Sequence, residues 1–365
     1  MAQAAETATG VLPDRAIERL ITAGTIRARS PIELEQVQPA SLDLRLGRVA
    51  WRVRASFLAG HGRTVAERLA EFEMHRIDLG EGAVLEKGCV YLVELMERLA
   101  LPGEIQAVAN AKSSTGRLDL LTRLITDGGT EFDRIAPGYE GPLYAEICPR
   151  SFSVLVRPGM RLNQIRFRRG QAVLSDDELS ALHESVGLVS GEALVSEGLG
   201  FSVDLRPQHG TLVGWRAKPH TGLIDLDRIG HYAPADFWEE VHSRDGRIIL
   251  DPGAFYILVS RESVHIPPDC AAEMAPYLAM VGEFRVHYAG FFDPGFGHDA
   301  AGGSGSRGVL EVRCHEAPFV LEHGQVVGRL VYERMAGVPR TLYGAGIKSN
   351  YQGQGLKLSK HFRAA

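Results

Sequence analysis

The sequence predicts a mainly β protein in which one kind of domain is present twice in tandem. Its 365 residues exceed the size at which a single hydrophobic core usually stops growing. Most of the chain consists of short alternating or apolar runs rich in Val, Ile, Leu and Tyr, separated by Pro-Gly, Glu-Gly and Asp-Gly turns. This pattern is typical of a β sandwich or barrel, and several of its runs recur in the same order farther along the chain.

The recurring segments lie at a nearly constant distance of 161 to 165 positions. They are the Ser-x-Asp-Leu-Arg motif at 41–45 and 202–206, the strand starts at 88–91 and 253–256, and the strand ends at 144–146 and 309–311. Within each copy, helical periodicity is confined to the opening, at residues 15–23 and 177–184. We therefore predict a first copy at 1–170, a second copy at 171–335 and a C-terminal tail at 336–365.

The composition argues against several classes of protein. With 40 Lys and Arg residues against 45 Asp and Glu, the net charge of −5 argues against a broad nucleic-acid or anionic-membrane surface. No apolar run is long enough to span a membrane, and the N-terminus lacks the basic and apolar regions of an export signal. The cysteines never show C-x-x-C spacing, so we expect reduced thiols and a cytoplasmic protein.

Two polar segments interrupt the β pattern near the end of the chain. We interpret the glycine-rich stretch at 297–308 as a flexible hairpin tip, because no helix start follows it as a phosphate cradle would require. The stretch at 350–359 is too polar for a core. We therefore expect that stretch to be either disordered or a lid.

The most specific local signal is the segment from Lys112 to Arg117, which reads Lys-Ser-Ser-Thr-Gly-Arg. Its two adjacent hydroxyls, its lysine and its arginine can supply side-chain and backbone donors to a phosphate chain. Solvated turns often have a similar composition. The segment lies between two apolar strands, however, and this placement favours an anion-binding segment.

This segment and four others together resemble the motifs of dCTP deaminases. The others are the stretch 38–47, the turn 289–296, Leu310-Glu311 and the tail 351–354. The resemblance covers nearly the whole chain as two fused copies, whereas the usual form of the family has one. It implies a dUTPase-like trimeric fold, in which each copy is a distorted β jelly roll or barrel with short helices.

The resemblance also implies active sites between neighbouring copies. One copy supplies a Ser-Ser-x-x-Arg phosphate segment, and the other supplies a hairpin that reads the nucleobase and a catalytic glutamate. A C-terminal tail closes over the nucleotide.

The two copies differ in these parts in opposite ways. The first copy lacks the hairpin aspartate, since Ala136 stands where the second copy has Asp293. Its hairpin arm is also longer, because 20 positions separate Arg117 from Pro137 whereas 12 separate Gly282 from Pro294. The second copy lacks every polar side chain of the phosphate segment, with Tyr277, Leu278, Ala279 and Gly282 in place of Lys112, Ser113, Ser114 and Arg117.

This complementary loss predicts a composite active site. By the resemblance, its catalytic residues are Glu311, Ser113 and Arg117, with Glu146 as the alternative glutamate in a site built from first copies only. We favour Glu311 because it shares a copy with the intact hairpin, although a surface carboxylate paired with Arg313 is another interpretation of it. The substrate-binding residues implied by the resemblance are Lys112, Ser114, Ala289, Gly290, Asp293, Tyr351, Gln352 and Gln354.

The expected reaction is the deamination of dCTP to dUTP and ammonia without zinc. A zinc deaminase carries H-x-E followed by P-C-x-x-C, but here His183 is followed directly by Glu184 and no cysteines are paired in sequence. The carboxylate of Glu311 is expected to move the protons instead. Backbone groups at Ala289 and Gly290 would accept hydrogen bonds from the exocyclic amine and so distinguish cytosine from uracil. Mg²⁺ is expected on the triphosphate oxygens and not in a protein cage.

Two other functions stay open. The chain could be bifunctional and also hydrolyse dUTP to dUMP, with Asp293 activating the water, or it could be a nucleotide-binding regulator that has lost catalysis. The expected partners are the nucleotides dCTP and dUTP and other copies of the chain, with no nucleic acid and no membrane. Because the family barrel needs three copies around an axis, three two-copy chains are the simplest closed assembly, and we expect a homotrimer.

Overall fold

A computed structural model of the chain describes residues 8–276, 284–287, 290–345 and 353–364, with the side chains of 276 and 284–287 excepted. The chain forms two compact units. The first comprises the described residues up to Ala172 together with Gly222–Ile229 and Met335–Arg340. The second comprises Val173–Thr221, Gly230–Arg334 and the described residues from Thr341 onward. Two short segments of the second half of the chain therefore belong to the first unit.

The first half of the chain is mainly β. Its helices are α1 (Asp14–Thr22), α2 (Val65–Phe72) and α3 (Ser113–Gly116), and Leu34–Gln36 forms a 3₁₀ turn. Its strands are β1 (Gly10–Val11), β2 (Ile26–Ala28), β3 (Leu42–Val53), β4 (Glu73–Asp78), β5 (Ala83–Leu85), β6 (Val90–Ala100), β7 (Ile105–Ala111), β8 (Leu120–Thr126), β9 (Arg134–Ile135), β10 (Glu140–Pro149), β11 (Val154–Val156) and β12 (Arg161–Arg169).

The second half has the same character. Its helices are α4 (Asp176–Val186) and α5 (Pro234–Phe237), and Asp299–Ala301 forms a 3₁₀ turn. Its strands are β13 (Leu199–Ser202), β14 (Leu212–Ala217), β15 (Ile224–Asp225), β16 (Trp238–His242), β17 (Arg247–Leu250), β18 (Phe255–Val264), β19 (Cys270–Pro276), β20 (Phe284–His287), β21 (Phe291–Phe292), β22 (Ser306–Cys314), β23 (Phe319–Glu322) and β24 (Val326–Arg334).

The first unit is built on a large curved sheet and a small one. The main path of the large sheet is β8-β10-β6-β3-β12-β7-β9, and β7 also contacts β8, so the sheet curves towards a closed barrel. The small sheet is β5-β11-β15 and takes its third strand from the second half of the chain. β15 runs parallel to β11, and the guanidinium of Arg157 binds the carboxylate of Asp225 at 2.8 Å.

The second unit contains a five-stranded sheet, a four-stranded sheet and a two-stranded one. Their orders are β16-β14-β18-β22-β20, β13-β24-β19-β21 and β17-β23. One apolar cluster fills the unit, with contributions from Phe201, Tyr256, Leu310 and Leu330 among others. β22, which carries Glu311, pairs with β18 on one side and with β20 on the other.

Two pairs of strands keep the same register in both units. Leu92 of β6 faces Glu146 of β10, and 165 positions later Ile257 of β18 faces Glu311 of β22. In the same way, the pairing of Ala109 with Ile165 returns as that of Met274 with Leu330. The two glutamates therefore occupy equivalent positions in the two units.

The helices predicted at 15–23 and 177–184 are confirmed as α1 and α4. The start of α4 is a capping box, because the Ser175 hydroxyl accepts from the N–H of Glu178 (3.3 Å) and the Glu178 carboxylate accepts from the N–H of Ser175 (2.9 Å). α4 ends at Gly187, whose φ of +66° is favourable for glycine. The sequence analysis did not predict α2, although Thr64 and Glu67 form the same capping box there.

The interpretation of residues 297–308 as a flexible hairpin tip is wrong. A Cβ atom on Gly297 would lie 2.1 Å from the carbonyl oxygen of Val264, and one on Gly308 would lie 2.3 Å from the ring of Phe201. These glycines allow the segment to pack closely against the second unit, and a 3₁₀ turn lies between them. Close packing thus explains the glycines at 297, 305 and 308, whereas Gly302 adopts a positive φ with nothing within 4 Å of a Cβ atom.

All four cysteines are free thiols in the structure, with Cys270 and Cys314 buried and Cys89 and Cys148 half-buried. Burial raises the pKa of the Cys270 thiol to about 12. Among the residues that the structure describes, no helix is long and apolar enough to cross a membrane.

Candidate functional site

The predicted phosphate segment forms the single helical turn α3 at the end of β7. Lys112 is the residue before the turn, and its N–H donates to the carbonyl of Leu162 on the neighbouring strand β12 (2.9 Å). Within the turn, the N–H of Arg117 donates to the carbonyl of Ser113 (3.1 Å). Ser113 is half-buried, whereas Ser114 and Arg117 are buried. The sequence therefore places its hydroxyls and its two basic residues on one short, ordered element.

Asp119 fixes the end of this segment, and sequence reasoning missed it. Its φ of +53° lies in the left-handed region, which aspartate tolerates better than most residues. The hydroxyl of Ser151 donates to the Asp119 carboxylate (2.6 Å), and the N–H of Arg150 donates to its carbonyl (3.0 Å). No sequence pattern marks a non-glycine residue with positive φ.

Glu311 is buried, with 5% of its surface exposed. Its Cα faces Ile257 on β18 and His287 on β20. The interpretation of Glu311 as a surface carboxylate is therefore wrong. Arg313, two residues along the strand, donates through its guanidinium to the carbonyl of Gly253 (2.5 Å). Glu311 is therefore a buried carboxylate on an inner strand of the five-stranded sheet.

The structure describes the hairpin of the second unit from Gly290 onward, and the predicted residue Ala289 lies outside the described residues. The carbonyl of Gly290 accepts from the N–H of Met274 (3.1 Å), which leaves one lone pair on that oxygen. Asp293 is buried, and its carbonyl accepts from the N–H of Phe296 (3.1 Å), which closes a turn.

The chain after β24 packs against this turn. The N–H of Tyr343 donates to the carbonyl of Pro294 (2.8 Å), and the rings of Tyr343 and Phe296 lie 5.6 Å apart. A Cβ atom on Gly295 would lie 2.8 Å from Cβ of Leu342, so glycine is required at this close approach. Residues Leu342 and Tyr343 of the second unit thus pack against the hairpin turn.

Glu146, the glutamate of the first copy, forms an ion pair. It faces Arg123 across β8 and β10, and Nε of Arg123 lies 3.1 Å from Oε1 of Glu146. A second guanidinium nitrogen of Arg123 donates to the hydroxyl of Ser56 (3.0 Å). The guanidinium carbon also lies 3.6 Å from the ring centre of Phe132. Phe132 belongs to the hairpin arm that is longer in the first copy.

The longer arm is itself covered by another segment of the first unit. The N–H of Gly60 donates to the carbonyl of Gly129 (2.9 Å), and the N–H of Val65 donates to the carboxylate of Asp127 (2.7 Å). A separate apolar cluster fills this part of the unit, and Phe57 and Phe72 stack within it at 5.1 Å. The segment from Phe57 to Phe72 therefore covers the hairpin arm of the first unit, near Glu146.

Of the predicted tail residues, Tyr351 and Gln352 lie outside the described part of the chain, and Gln354 lies within it. Gln354 is buried on the start of β22. Its side-chain amide donates to the carbonyl of Arg307 (3.1 Å), and its carbonyl accepts from the N–H of Arg307 (3.1 Å). Gln354 thus binds the strand that carries Glu311.

The end of the tail is part of a core of the second unit. Leu358, Ser359, His361 and Phe362 are buried. The ring of Phe362 packs against those of Phe237 and Trp238, with centroids 5.5 and 5.8 Å apart. The lid role expected of the polar stretch 350–359 stays a prediction, because Tyr351 and Gln352 lie outside the described residues.

The candidate residues are divided between the two units. The first unit holds Lys112, Ser113, Ser114, Arg117 and Glu146, and the second holds Gly290, Asp293, Glu311 and Gln354. Among the described residues, no three His, Cys, Asp or Glu side chains are grouped as a metal ion would require.

Comparison with known protein families matches the two halves of the chain to two domain descriptions. Residues 8–171 match the 2'-deoxycytidine 5'-triphosphate deaminase N-terminal domain, and residues 175–362 match the C-terminal domain of the same family. Together the two matches cover nearly all of the chain.

Individual dCTP deaminases are also similar in sequence to this chain. A dUMP-forming dCTP deaminase of Corynebacterium glutamicum is 30% identical over 159 residues, which are 42% of this chain and 78% of the relative. A dCTP deaminase of Natronomonas pharaonis is 32% identical over 160 residues, 43% of this chain and 79% of the relative.

A solved structure extends the similarity to the fold. The crystal structure of 2'-deoxycytidine 5'-triphosphate deaminase from Agrobacterium tumefaciens is 56% identical, with a TM-score of 0.87 over 90% of this chain and 99% of that chain. The predicted mainly β, dUTPase-like fold is thereby confirmed. This chain belongs to the dCTP deaminase family of enzymes.

Proposed function

We propose that this protein deaminates dCTP to dUTP and ammonia at a composite site without zinc. The first copy supplies the phosphate segment, and the second supplies the hairpin and the working glutamate, Glu311. One observation carries the choice of glutamate: Glu146 is bound by Arg123, whose guanidinium also contacts the Ser56 hydroxyl and the ring of Phe132.

The ion pair makes Glu146 poorly suited to proton transfer. The glutamate must take a proton from water and hand it to the base, so its protonated form has to be accessible. The Arg123 guanidinium already occupies the Glu146 carboxylate as a hydrogen-bond acceptor. At the equivalent position opposite Glu311, the second copy has His287 in place of Arg123.

In the proposed reaction, water adds to C4 of cytosine as the Glu311 carboxylate takes one of its protons and passes it to N3. The new C4 hydroxyl then gives its proton to the amino nitrogen, the C4–N bond breaks and ammonia leaves. N3 keeps its proton, so the products balance as dUTP and ammonia. The carbonyl of Gly290, and that of Ala289, would accept from the amino group.

The remaining residues are proposed to hold the nucleotide. Ser113 and Arg117 would orient the water and the growing charge near the base, and Lys112 and Ser114 would bind phosphate oxygens. Mg²⁺ would enter with the triphosphate as part of the substrate. The proposed substrate contacts also include Asp293, Gln354, Tyr351 and Gln352, of which the last two lie outside the described residues. A cytoplasmic location fits a free nucleotide substrate.

The equal register of the two units supports our proposal that the chain arose by tandem duplication. The same strands meet at the same offset of 165 positions in both units. If the family barrel has three copies around its axis, one chain with two copies cannot close it, and a homotrimer is the proposed assembly.

A second function has specific support. Several relatives, including those from Corynebacterium glutamicum and Thermobifida fusca, are named dUMP-forming dCTP deaminases. This chain retains Asp293, the residue that would activate water for attack on the α-phosphate. A bifunctional enzyme would therefore give dUMP and pyrophosphate from the same substrate.

Product analysis separates these functions. The purified protein is stripped of metal with a chelator, supplied with Mg²⁺ and dCTP, and its products are separated by ion-exchange chromatography. We expect dUTP and ammonia. The appearance of dUMP and pyrophosphate would support the bifunctional enzyme instead. Turnover that needs added zinc would contradict the mechanism, and no turnover would favour a catalytically inactive regulator.

A further inference from the structure

Asp43 and Lys112 form an ion pair in the first unit, and the proposed reaction assigns no role to this aspartate. The Lys112 ammonium binds the Oδ2 atom of Asp43. The Asp43 side chain is 2% exposed, whereas that of Lys112 is 25% exposed. The buried aspartate thus holds a lysine that still reaches the surface.

The backbone around Asp43 is tightly fixed. The amide of Gln36 donates both to the carbonyl of Asp43 (2.9 Å) and to the carboxylate of Glu97 (2.9 Å). Glu97 in turn forms a buried ion pair with Arg45, two residues beyond Asp43 (2.8 Å). The long Lys112 side chain therefore binds an aspartate whose backbone is held by a buried network of hydrogen bonds.

The sheet explains how the two residues meet. Asp43 on β3 faces Gln164 on β12, and Gln164 faces Asn110 on β7. Lys112 follows Asn110 by two residues and leads directly into α3. The lysine side chain therefore crosses β12 to reach Asp43, and this contact ties the start of the phosphate segment to β3.

The second oxygen of the Asp43 carboxylate is not used by the described fold. The Oδ1 atom of Asp43 is buried and has no hydrogen-bond partner among the described residues. A buried acceptor without a partner costs stability, so such a group usually has another purpose.

The second copy of the motif uses its aspartate differently. Asp204 pairs with Arg307 at the start of β22 and lies 3.4 Å from Nδ1 of His323. In the second copy the residue aligned with Lys112 is Tyr277, which lies outside the described residues. The repeated aspartate thus binds a cation in both units, but only in the first unit does that cation belong to a phosphate segment.

We propose that Asp43 is a positioning residue for substrate binding, which it serves by holding the Lys112 ammonium at the triphosphate. This inference rests on the proposed function. An ammonium has three N–H groups, and Asp43 takes one of them, so two are left for phosphate oxygens. By itself the charge of Asp43 would repel a triphosphate, so any gain in binding must come through Lys112.

Steady-state kinetics with Mg²⁺ and dCTP test this inference on Asp43→Asn, Lys112→Met and the double variant. We expect Asp43→Asn to raise KM about tenfold while kcat stays within about twofold. In the Lys112→Met background, Asp43→Asn should cause no further rise, because its effect passes through the lysine. Asp78→Asn, which breaks the exposed pair with Arg48, is the control and should leave KM unchanged.

The outcomes separate the inference from the function on which it rests. If the wild-type protein does not turn over dCTP, the proposed function fails. If the wild-type protein is active but Asp43→Asn leaves KM unchanged, lowers it, or adds fully to Lys112→Met, the inference alone fails. Should Asp43→Asn not fold, as judged by circular dichroism, Asp43→Glu keeps the charge and displaces it. A KM of the wild-type value in that variant would overturn the inference.

Discussion

Arg123 and Glu146 face each other across β8 and β10, with Nε of the arginine 3.1 Å from Oε1 of the glutamate. The strand pairing that places Glu146 is repeated in the second unit around Glu311. The arginine that faces Glu146 is not repeated, because His287 faces Glu311 at the corresponding position of the second unit. The same position in the fold thus holds a paired carboxylate in one unit and our proposed catalyst in the other.

The first prediction concerns the stability that this ion pair provides. Arg123→Ala should lower the free energy of unfolding by about 1–3 kcal/mol, because it leaves the buried Glu146 without its cation, while the partial exposure of Arg123 limits the loss. Urea unfolding measures the effect. Arg76→Ala, which removes an exposed pair with Glu73, should cost less than about 1 kcal/mol. Equal losses in the two variants would show that the Glu146 pair is not special.

The second prediction concerns the end of the tail. Phe362→Ala should lower the free energy of unfolding by about 3–5 kcal/mol, because it empties a site lined by the rings of Tyr232, Phe237 and Trp238. Arg363→Ala, at the exposed neighbouring residue, should change stability by less than about 0.5 kcal/mol. Thermal and urea unfolding compare the two variants. A Phe362→Ala protein as stable as the wild type would mean that the tail is not part of the core.

The third prediction concerns the turn after the phosphate segment. Asp119→Ala should destabilise the protein by about 1–3 kcal/mol, because alanine is strained at φ +53° and the hydrogen bond from Ser151 is lost. Asp119→Asn tolerates the same backbone and should lose less. Urea unfolding ranks the variants, and Ser151→Ala isolates the hydrogen bond. If Asp119→Ala and Asp119→Asn proved equally stable, the backbone conformation would not be the cause.

The fourth prediction concerns pH and the strand that the second half of the chain adds to the first unit. The hydrogen-bonded guanidinium of Arg157 lowers the pKa of Asp225 below its ordinary value. Because the folded-state pKa is the lower one, the resulting stability is present above the unfolded pKa of about 4 and is lost as pH falls through the folded value.

Asp225→Asn should therefore be less stable than the wild type at pH 7, and the difference should shrink below about pH 4. Urea unfolding at several pH values measures it. The matched substitution Asp245→Asn, in an exposed pair with Arg247 of the second unit, should show a much smaller pH-dependent difference. A difference between Asp225→Asn and the wild type that stayed constant down to pH 3 would contradict the assignment.

Part of this site could be predicted from the sequence, and the reason differs from residue to residue. The loss of Asp293 at the aligned Ala136 and the greater length of the first arm are visible because they are properties of aligned positions. The contact of Arg123 with Glu146 is not visible in the sequence, because it depends on the register of two strands joined by a long irregular arm.

The other contacts could not be predicted because they depend on topology and tertiary packing. Asp43 lies in a motif that the sequence shows twice, but its partner Lys112 is reached only across β12. β15 adds to β11 of the first unit from a loop of the second half, and no local pattern marks that destination. Phe362 follows a polar run, so its burial follows from the aromatic rings that receive it and not from its neighbours in sequence.

The measurement that tests the central claim most directly is the dCTP turnover of two isosteric variants, Glu311→Gln and Glu146→Gln, both checked for folding by circular dichroism. If the composite site is correct, Glu311→Gln lowers kcat by about 10²–10⁴-fold, the usual contribution of a general acid–base residue, and Glu146→Gln stays within a few-fold of the wild type. Loss of turnover in Glu146→Gln with full activity in Glu311→Gln would contradict the composite site and place catalysis in the first copy.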